Sequence, residues 1–466
     1  CNSNSPWVDS TYTNLTAQIN DNVGSVIPLC IGGVTNIGNL IDDNTANFTT
    51  INITGIGCNA TIGVVDDTAA DTYPAGTWAG FRIGTSGLLG VGVSSTVTVQ
   101  TYNNGSPVQS QVVVSNVLGL DSDLLFADGT ANVGFVTTSP FDEVRITFQT
   151  LVGVLWSAQI YHAVITKYCV GPTPACNTMT ALTQTEYPAF ISDAGTTGVT
   201  LGSVTNTQNV VDGNLNNFGS ITLPVGILST GFISVKDQLT DYVAGTFAGF
   251  EVSNSNLLGV NLLQNTTVRT YLNGAIRETK SANDLLLDVS LLSGANRQTV
   301  GFVTILSFDE IRYTINQVVG VDVGTTQVYS AVIKSYCAGP ALECNTQTAL
   351  TEPDFPAAID GGLTGISGVL CVGCSVTNAG NVVDASTSNF GSINLTVGLA
   401  VSGSIAVKDV ITTYPAGTFA GFDIENPVLV GVNVLNGLTV QTYLDGTLVE
   451  SSNAGTLVSV GSGLLT

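Results

Sequence analysis

The chain has 466 residues, with 34 acidic against 11 basic side chains and a formal net charge of −23. That balance disfavours nucleic acid and anionic membrane surfaces as partners, and no run of about 20 apolar residues is present to cross a bilayer as a helix. An acidic excess of this kind suits a surface protein, or sites that hold cations.

Frequent β-branched residues between Gly and Asn turns, with no long amphipathic helical pattern, predict an all-β protein. One stretch occurs three times, as Tyr73-Pro74-Ala75-Gly76-Thr77-Trp78-Ala79-Gly80-Phe81, as Tyr242 to Phe250 and as Tyr414 to Phe422. The copies lie about 170 residues apart, too far for a solenoid period, so each repeat is expected to be a domain with its own core. The predicted domains are residues 1–169, 170–337 and 338–466, the last incomplete at its C-terminal end.

Within each repeat the elements follow one order. Cys1-Asn2-Ser3 aligns with Cys176-Asn177-Thr178 and Cys344-Asn345-Thr346. A polar loop comes next, Asn39 to Phe48, Asn209 to Phe218 and Asn381 to Phe390. Its Asp42, Asn44 and Asn47, with Asp212, Asn214 and Asn217 and then Asp384, put side-chain oxygens close together on a turn. Such oxygens can satisfy the loop's own backbone as Asx turns, or coordinate Ca²⁺, and the pattern leaves both readings open. The Tyr stretch follows. After it, Asn104-Gly105, Asn273-Gly274 and Asp445-Gly446 close alternating runs and predict tight hairpins. Two closing segments end the first two repeats, Gly134-Phe135-Val136-Thr137 with Phe141-Asp142-Glu143-Val144-Arg145, and Gly301-Phe302-Val303-Thr304 with Phe308-Asp309-Glu310-Ile311-Arg312. A final strand, Tyr161 to Ile165 or Tyr329 to Ile333, completes each. The third copy lacks this ending, which predicts either a window on a longer array or a neighbouring molecule that supplies strands.

Nine cysteines punctuate the chain. Cys169 and Cys176 share a six-residue spacing with Cys337 and Cys344, each pair beside a Gly-Pro joint. The expected reading is a short disulfide staple at each joint, stabilising by roughly 2–3 kcal/mol and stiffening the linker. Cys30 is expected to pair with Cys58, and Cys371 and Cys374 to form or join a disulfide. Disulfides place the chain outside the reducing cytosol, extracellular or at the cell surface.

No nucleophile elbow, P-loop or dinucleotide fingerprint appears, so no catalytic residue is assigned and no enzyme or organic cofactor is expected. The one histidine, His162, is matched by Ser330 in the second repeat and is read as structural. The Asp-Glu pairs at 142–143 and 309–310 are read as a cross-strand ion pair with Arg145 or Arg312 plus a solvated acid. Trp78, Phe247 and Phe419 are read as plugs between sheets, with a sugar-stacking platform as the alternative.

The order of the Asn-Val-Val-Asp-Gly-Asn-x-Asn-Asn-Phe loop, the strand ending Leu-Asn-Gly, the Asp-Glu-Ile-Arg-Tyr-Thr strand and the Tyr-Ser-Ala-Val-Ile strand resembles the galactose-binding-like, or discoidin-type, β-sandwich. The resemblance implies tandem antiparallel jelly-roll sandwiches on disulfide-stapled linkers, and a structural calcium at the polar loops. The Tyr-Pro-Ala-Gly-Thr-Phe-Ala-Gly-Phe and Phe-Asp-Glu-Val-Arg signatures also resemble large surface adhesins of gliding, Bacteroidetes-type bacteria exported by the type IX system. That likeness implies O-glycosylation at Thr68 and Ser10, in Asp67-Thr68-Ala69 and Asp9-Ser10-Thr11. The expected function is a structural surface fibre or adhesin stalk, with a multivalent carbohydrate-binding array as the alternative. Neighbouring copies, further repeats or a glycan are the expected partners.

Overall fold

The structure is a computed structural model that describes residues 5–9, 12, 14–19, 30–55, 58–68, 73–84, 95–114, 130–150, 156–198, 202–223, 229–256, 260–289, 297–317, 323–425 and 437–453. Two compact units result, one comprising Cys1–Ala175 with Met179–Lys334 and the other Cys176–Thr178 with Ser335–Thr466.

The first unit holds two sandwiches. Strands β1 (Ser5–Trp7), β2 (Leu15–Ile19), β3 (Ile31–Thr35), β4 (Thr49–Thr54), β5 (Asn59–Asp66), β6 (Thr77–Gly84), β7 (Ser95–Asn103), β8 (Ser106–Val114), β9 (Thr130–Val136), β10 (Glu143–Thr150) and β11 (Trp156–Lys167) build the first. One sheet runs β3-β4-β11-β6-β9, with β1 also on β11, and the other runs β2-β5-β10-β7-β8. All these pairs are antiparallel. Alternation decides which side chains face inward. Ile51 and Ile53, Ile62 and Val64, Phe81 and Ile83, and Ile146 and Phe148 are all buried in one cluster between the sheets. Each such side chain contributes about 1.5–3 kcal/mol by leaving water.

The second sandwich repeats this plan in β12 (Thr180–Ala181), β13 (Ala189–Gly198), β14 (Ser203–Thr205), β15 (Gly219–Leu223), β16 (Ser229–Asp237), β17 (Thr246–Asn254), β18 (Thr266–Leu272), β19 (Ala275–Ser281), β20 (Leu286–Val289), β21 (Gln298–Val303), β22 (Glu310–Gln317) and β23 (Gly324–Ser335). Its sheets run β14-β15-β23-β17-β21-β20, with β12 on β23, and β13-β16-β22-β18-β19. A five-residue helix, Val260–Gln264, precedes β18. The final strands β22 and β23 therefore occupy the middle of the two sheets, and the ends of the repeat meet.

The recurring aromatic sits elsewhere than expected. Ala79, Phe81 and Ile83 of β6 face the core, so Trp78 projects from the opposite face. There its ring covers the facing pair Gly80 and Gly134, whose Cβ atoms would lie 2.6 and 2.7 Å from it. Phe247 covers Gly249 and Gly301 in the same way. The plug is on the outside of the sheet, and the glycines of the Ala-Gly-Phe and Gly-Phe-Val motifs make room for it.

The joint cysteines also need correction. Cys176 bonds Cys337, across 161 residues of sequence, and neither pairs within its six-residue spacing. Cys169 is disulfide-bonded but not to Cys176, and Cys344 is free and exposed. The bond ties the first residues of the repeat to the end of its last strand, because that strand returns beside them. Cys30 bonds Cys58, and Cys371 bonds Cys374.

In the second unit the strands are short: β24 (Ala357–Ile359), β25 (Gly365–Ser367), β26 (Leu370–Val372), β27 (Ser375–Thr377), β28 (Ser392–Asn394), β29 (Val397–Leu399), β30 (Ser402–Ser404), β31 (Val407–Asp409), β32 (Thr439–Leu444) and β33 (Thr447–Asn453). Among the described residues they form only two-stranded ribbons. Its core is correspondingly small, centred on Ala357, Ile359, Ala379 and Val383.

Candidate functional site

The polar loops are built alike in all three copies. A short 3-10 turn, Ile37–Leu40, Thr207–Val210 or Ala379–Val382, follows an Asn in left-handed backbone. Leu40 and Val210 enter the cores, while the Asn39, Asn209 and Asn381 amides donate across the loop to the carbonyls of Phe48, Phe218 and Phe390. Asp42 Oδ1 accepts the Asn44 N–H at 3.1 Å and its Oδ2 accepts the Asn47 amide at 2.8 Å. The second loop does the same with Asp212, Asn214 and Asn217, at 2.8 and 2.7 Å. In the third, Ser386 replaces the middle Asn, and Asp384 accepts its N–H at 2.8 Å and the Asn389 amide at 2.7 Å.

These are Asx turns, in which the carboxylate satisfies the loop's own donors. Asn47 Oδ1 and Asn217 Oδ1 are nevertheless buried without a hydrogen-bond partner. An orphaned oxygen beside a carboxylate suits a bound cation, so the first two loops fit Ca²⁺ in part. Each supplies one carboxylate and two amide oxygens, and backbone carbonyls or water would have to complete the six to eight ligands. No cluster of three or more His, Cys, Asp or Glu stands together among the described residues.

The Asp-Glu pairs are corrected in detail. Asp142 Oδ2 accepts the N–H of Asn104 at 2.7 Å, and Asp309 Oδ2 that of Asn273 at 3.0 Å, so each Asp caps the Asn-Gly hairpin. The Glu residues are buried rather than solvated. Glu143 holds Arg145 of its own strand in a two-pronged pair at 2.5 and 3.0 Å, and the guanidinium lies 3.7 Å over the Tyr102 ring. Glu310 instead accepts the hydroxyls of Ser192 and Ser234, and Arg312 reaches Asp193 on another strand at 2.7 Å. Nothing in either arrangement brings two carboxylates to one open site.

His162 lies buried in β11, and burial first, then the Arg82 charge, depress it to about 4. Thr68 follows the turn at Asp66, and its hydroxyl accepts the Asn14 amide at 3.3 Å. Ser10 and Cys1 lie outside the described residues.

One feature was not legible beforehand. A cavity of about 180 Å³ opens in the first sandwich, lined by Ser5, Tyr12, Tyr73, Pro74, Thr77, Ile165 and Lys167. Trp7 supports its aromatic wall, edge-on to both Tyr12 and Tyr73 and donating from its indole to the Tyr73 hydroxyl at 3.1 Å. Tyr73 donates in turn to Asp66 at 3.0 Å, and burial with that carboxylate pushes its phenol well above the usual range. The recurring Tyr73-Pro74 was the signal. In the second copy Tyr242 and Tyr187 are buried.

No family model and no curated protein matches this sequence. Among solved structures the chain is similar to yeast allantoicase from Saccharomyces cerevisiae, at 10% identity, covering 71% of this chain and 93% of that one with a TM-score of 0.26. It is also similar to the family 32 carbohydrate-binding module of Clostridium perfringens NanJ in complex with galactose, at 14% identity, 35% and 98% coverage and a TM-score of 0.20. The paired family 32 modules of C. perfringens ZmpB with GalNAc match at 9% identity, 71% and 96% coverage and a TM-score of 0.26. These scores are too low to carry an argument, and the sandwich fold stands on the strands and sheets above.

Proposed function

We propose that the chain is part of an extracellular adhesive array that binds carbohydrate through its first sandwich. The cavity of the first sandwich is the observation that carries this reading. Tyr12, Tyr73 and Pro74 offer apolar faces for a sugar ring, while Lys167, Thr77 and Ser5 add polar groups to the lining. The Cys30–Cys58, Cys176–Cys337 and Cys371–Cys374 disulfides support a place outside the reducing cytosol. Ca²⁺ at the Asp42 and Asp212 loops would act structurally, and glycosylation at Thr68 belongs to the same surface setting.

The test is calorimetric titration of the full chain with galactose, N-acetylgalactosamine and their oligomers, together with a glycan array. Millimolar binding that weakens at least tenfold in Lys167→Ala and in Tyr12→Ala supports the reading. Binding that survives both variants, or none to any glycan, overturns it.

A second reading, a passive stalk or fibre of a surface adhesin, is favoured by the joints. Gly171 packs on the Tyr187 ring and Gly339 on the Phe355 ring, each leaving 2.2–2.3 Å for an added Cβ, so each Gly-Pro linker lies against the start of the following repeat. The absence of glycan binding would leave this reading standing.

A further inference from the structure

The sheet β13-β16-β22-β18-β19 of the second sandwich turns one face to the core and the other outward. Val268 of β18 and Ile311, Tyr313 and Ile315 of β22 belong to the core cluster, so Thr267, Arg269, Arg312 and Thr314 stand on the outer face. Strand pairing sets that face in rows. One row runs Asp193, Ser234, Arg312, Arg269 and Thr279 across the five strands. In the row beside it Thr314, Thr267 and Ser281 follow one another.

Arg269 and Arg312 are direct register partners, and like charges set opposite each other on neighbouring strands repel. Arg312 is compensated. It donates to Asp193 at 2.7 Å, and the Phe232 and Tyr271 rings lie 4.6 and 5.0 Å from its guanidinium. Arg269 is not. No ion pair, hydrogen bond or ring contact engages it among the described residues, in a chain where acids outnumber bases 34 to 11. Glu310 gives its carboxylate to Ser192 and Ser234 rather than to an arginine. The first sandwich has Gln100 opposite Arg145, which Glu143 holds, and the third copy has Gln441 at the position of Arg269. The uncompensated charge therefore belongs to the second sandwich alone. A second observation lies on the same face. Thr314 is only 8% exposed, and its hydroxyl has no hydrogen-bond partner.

We infer that this outer face binds an acidic polysaccharide, with Arg269 taking a carboxylate or sulfate group of the ligand. A guanidinium presents paired N–H donors that match either anion, and the anion also relieves the repulsion between the two arginines. Thr267, Thr279, Ser281 and Thr314 bring hydroxyls from three adjacent strands about 4.8 Å apart, which suits a ligand carrying hydroxyls along its length. An acidic peptide is the poorer occupant, because a peptide joins a sheet through main-chain bonds at an edge, and this is a face. The inference rests on the carbohydrate reading for its class of ligand, but it adds the acid and places the site in a different sandwich.

The experiment titrates the full chain calorimetrically with hexamers of galacturonate, of sulfated galactose and of neutral galactose, and with hexaglutamate. The carboxylated or the sulfated hexamer is expected to bind at least tenfold more tightly than the neutral one, and to weaken several-fold between about 50 and 500 mM salt. Whichever of the two binds names the anion. Arg269→Gln copies Gln100 and Gln441, residues that the fold already accepts, and should weaken this binding at least tenfold. Arg269→Lys keeps the charge but loses the fork, and should weaken it less. Equal binding of hexaglutamate, binding that survives Arg269→Gln, or no binding of either acidic hexamer overturns the proposal. Binding lost in Lys167→Ala but kept in Arg269→Gln assigns the anion to the cavity of the first sandwich; it overturns this site and leaves that cavity's reading intact. Acidic binding through Arg269 with no neutral sugar bound anywhere does the reverse.

Discussion

At Gly301 a hydrogen stands where any other residue places a carbon. An added Cβ would lie 2.3 Å from the Ala248 carbonyl oxygen and 2.6 Å from the Phe247 ring. Overpacking of that kind costs typically about 1–3 kcal/mol, and a backbone obstacle gives little room to relax. Gly301→Ala is expected to lower the melting temperature of the second sandwich by about 2–10 °C. Gly38→Ala, with nothing within 4 Å, is the control and should leave the first sandwich unchanged. His162 carries a different kind of prediction. Its folded value of about 4 lies below the ordinary 6.5, so between these pH values the unfolded chain binds more protons. Its contribution is therefore complete above about pH 6.5 and is lost as the pH falls toward 4. His162→Ser, which copies Ser330, should flatten the decline in melting temperature over that window; parallel curves for the two proteins would refute it.

Elements were read with uneven success, and the reasons are physical. Strands and hairpins have a short-range signature, alternation closed by Asn-Gly or Asp-Gly, so β7–β8, β18–β19 and β32–β33 could be placed from local sequence. The same loop letters that suggested calcium also write an Asx turn, and only the orphaned amide oxygens of Asn47 and Asn217 separate the two uses. Calcium at 10 mM is expected to stabilise the first two sandwiches by about 1.4–2.7 kcal/mol, if affinity lies in the extracellular range of about 0.1–1 mM. Differential scanning calorimetry with and without chelator reads this, and Asp212→Ala should abolish the shift in the second sandwich. Which face an aromatic takes was beyond a local reading. Trp78 and Phe247 look like core residues until their neighbours at two-residue spacing are seen to claim the core.

Across the whole molecule, the repeat period announced several sandwiches, but the partner of each cysteine depended on closure. Cys169 and Cys176 are near in sequence, yet the chain leaves one sandwich between them and enters the next. Cys176 and Cys337 are distant in sequence and adjacent in space, because the first and last segments of a repeat run side by side. Loop-closure entropy for 161 residues makes this bond worth about 5 kcal/mol, more than a short staple supplies. The cavity of the first sandwich was hidden for a related reason: Tyr12, Tyr73 and Lys167 come from three separate parts of the repeat.

The bond between Cys176 and Cys337 also decides where tension travels. A pull entering the second repeat at one cysteine leaves through the other, so the strands between them are bypassed and carry none of it. Unravelling the 161 residues enclosed would otherwise release roughly 550 Å of chain. In single-molecule stretching that step should be missing under oxidising conditions and should emerge once a reductant is added. A chain wired in this way can be drawn taut without lengthening, while its sandwiches keep their shape and whatever they hold.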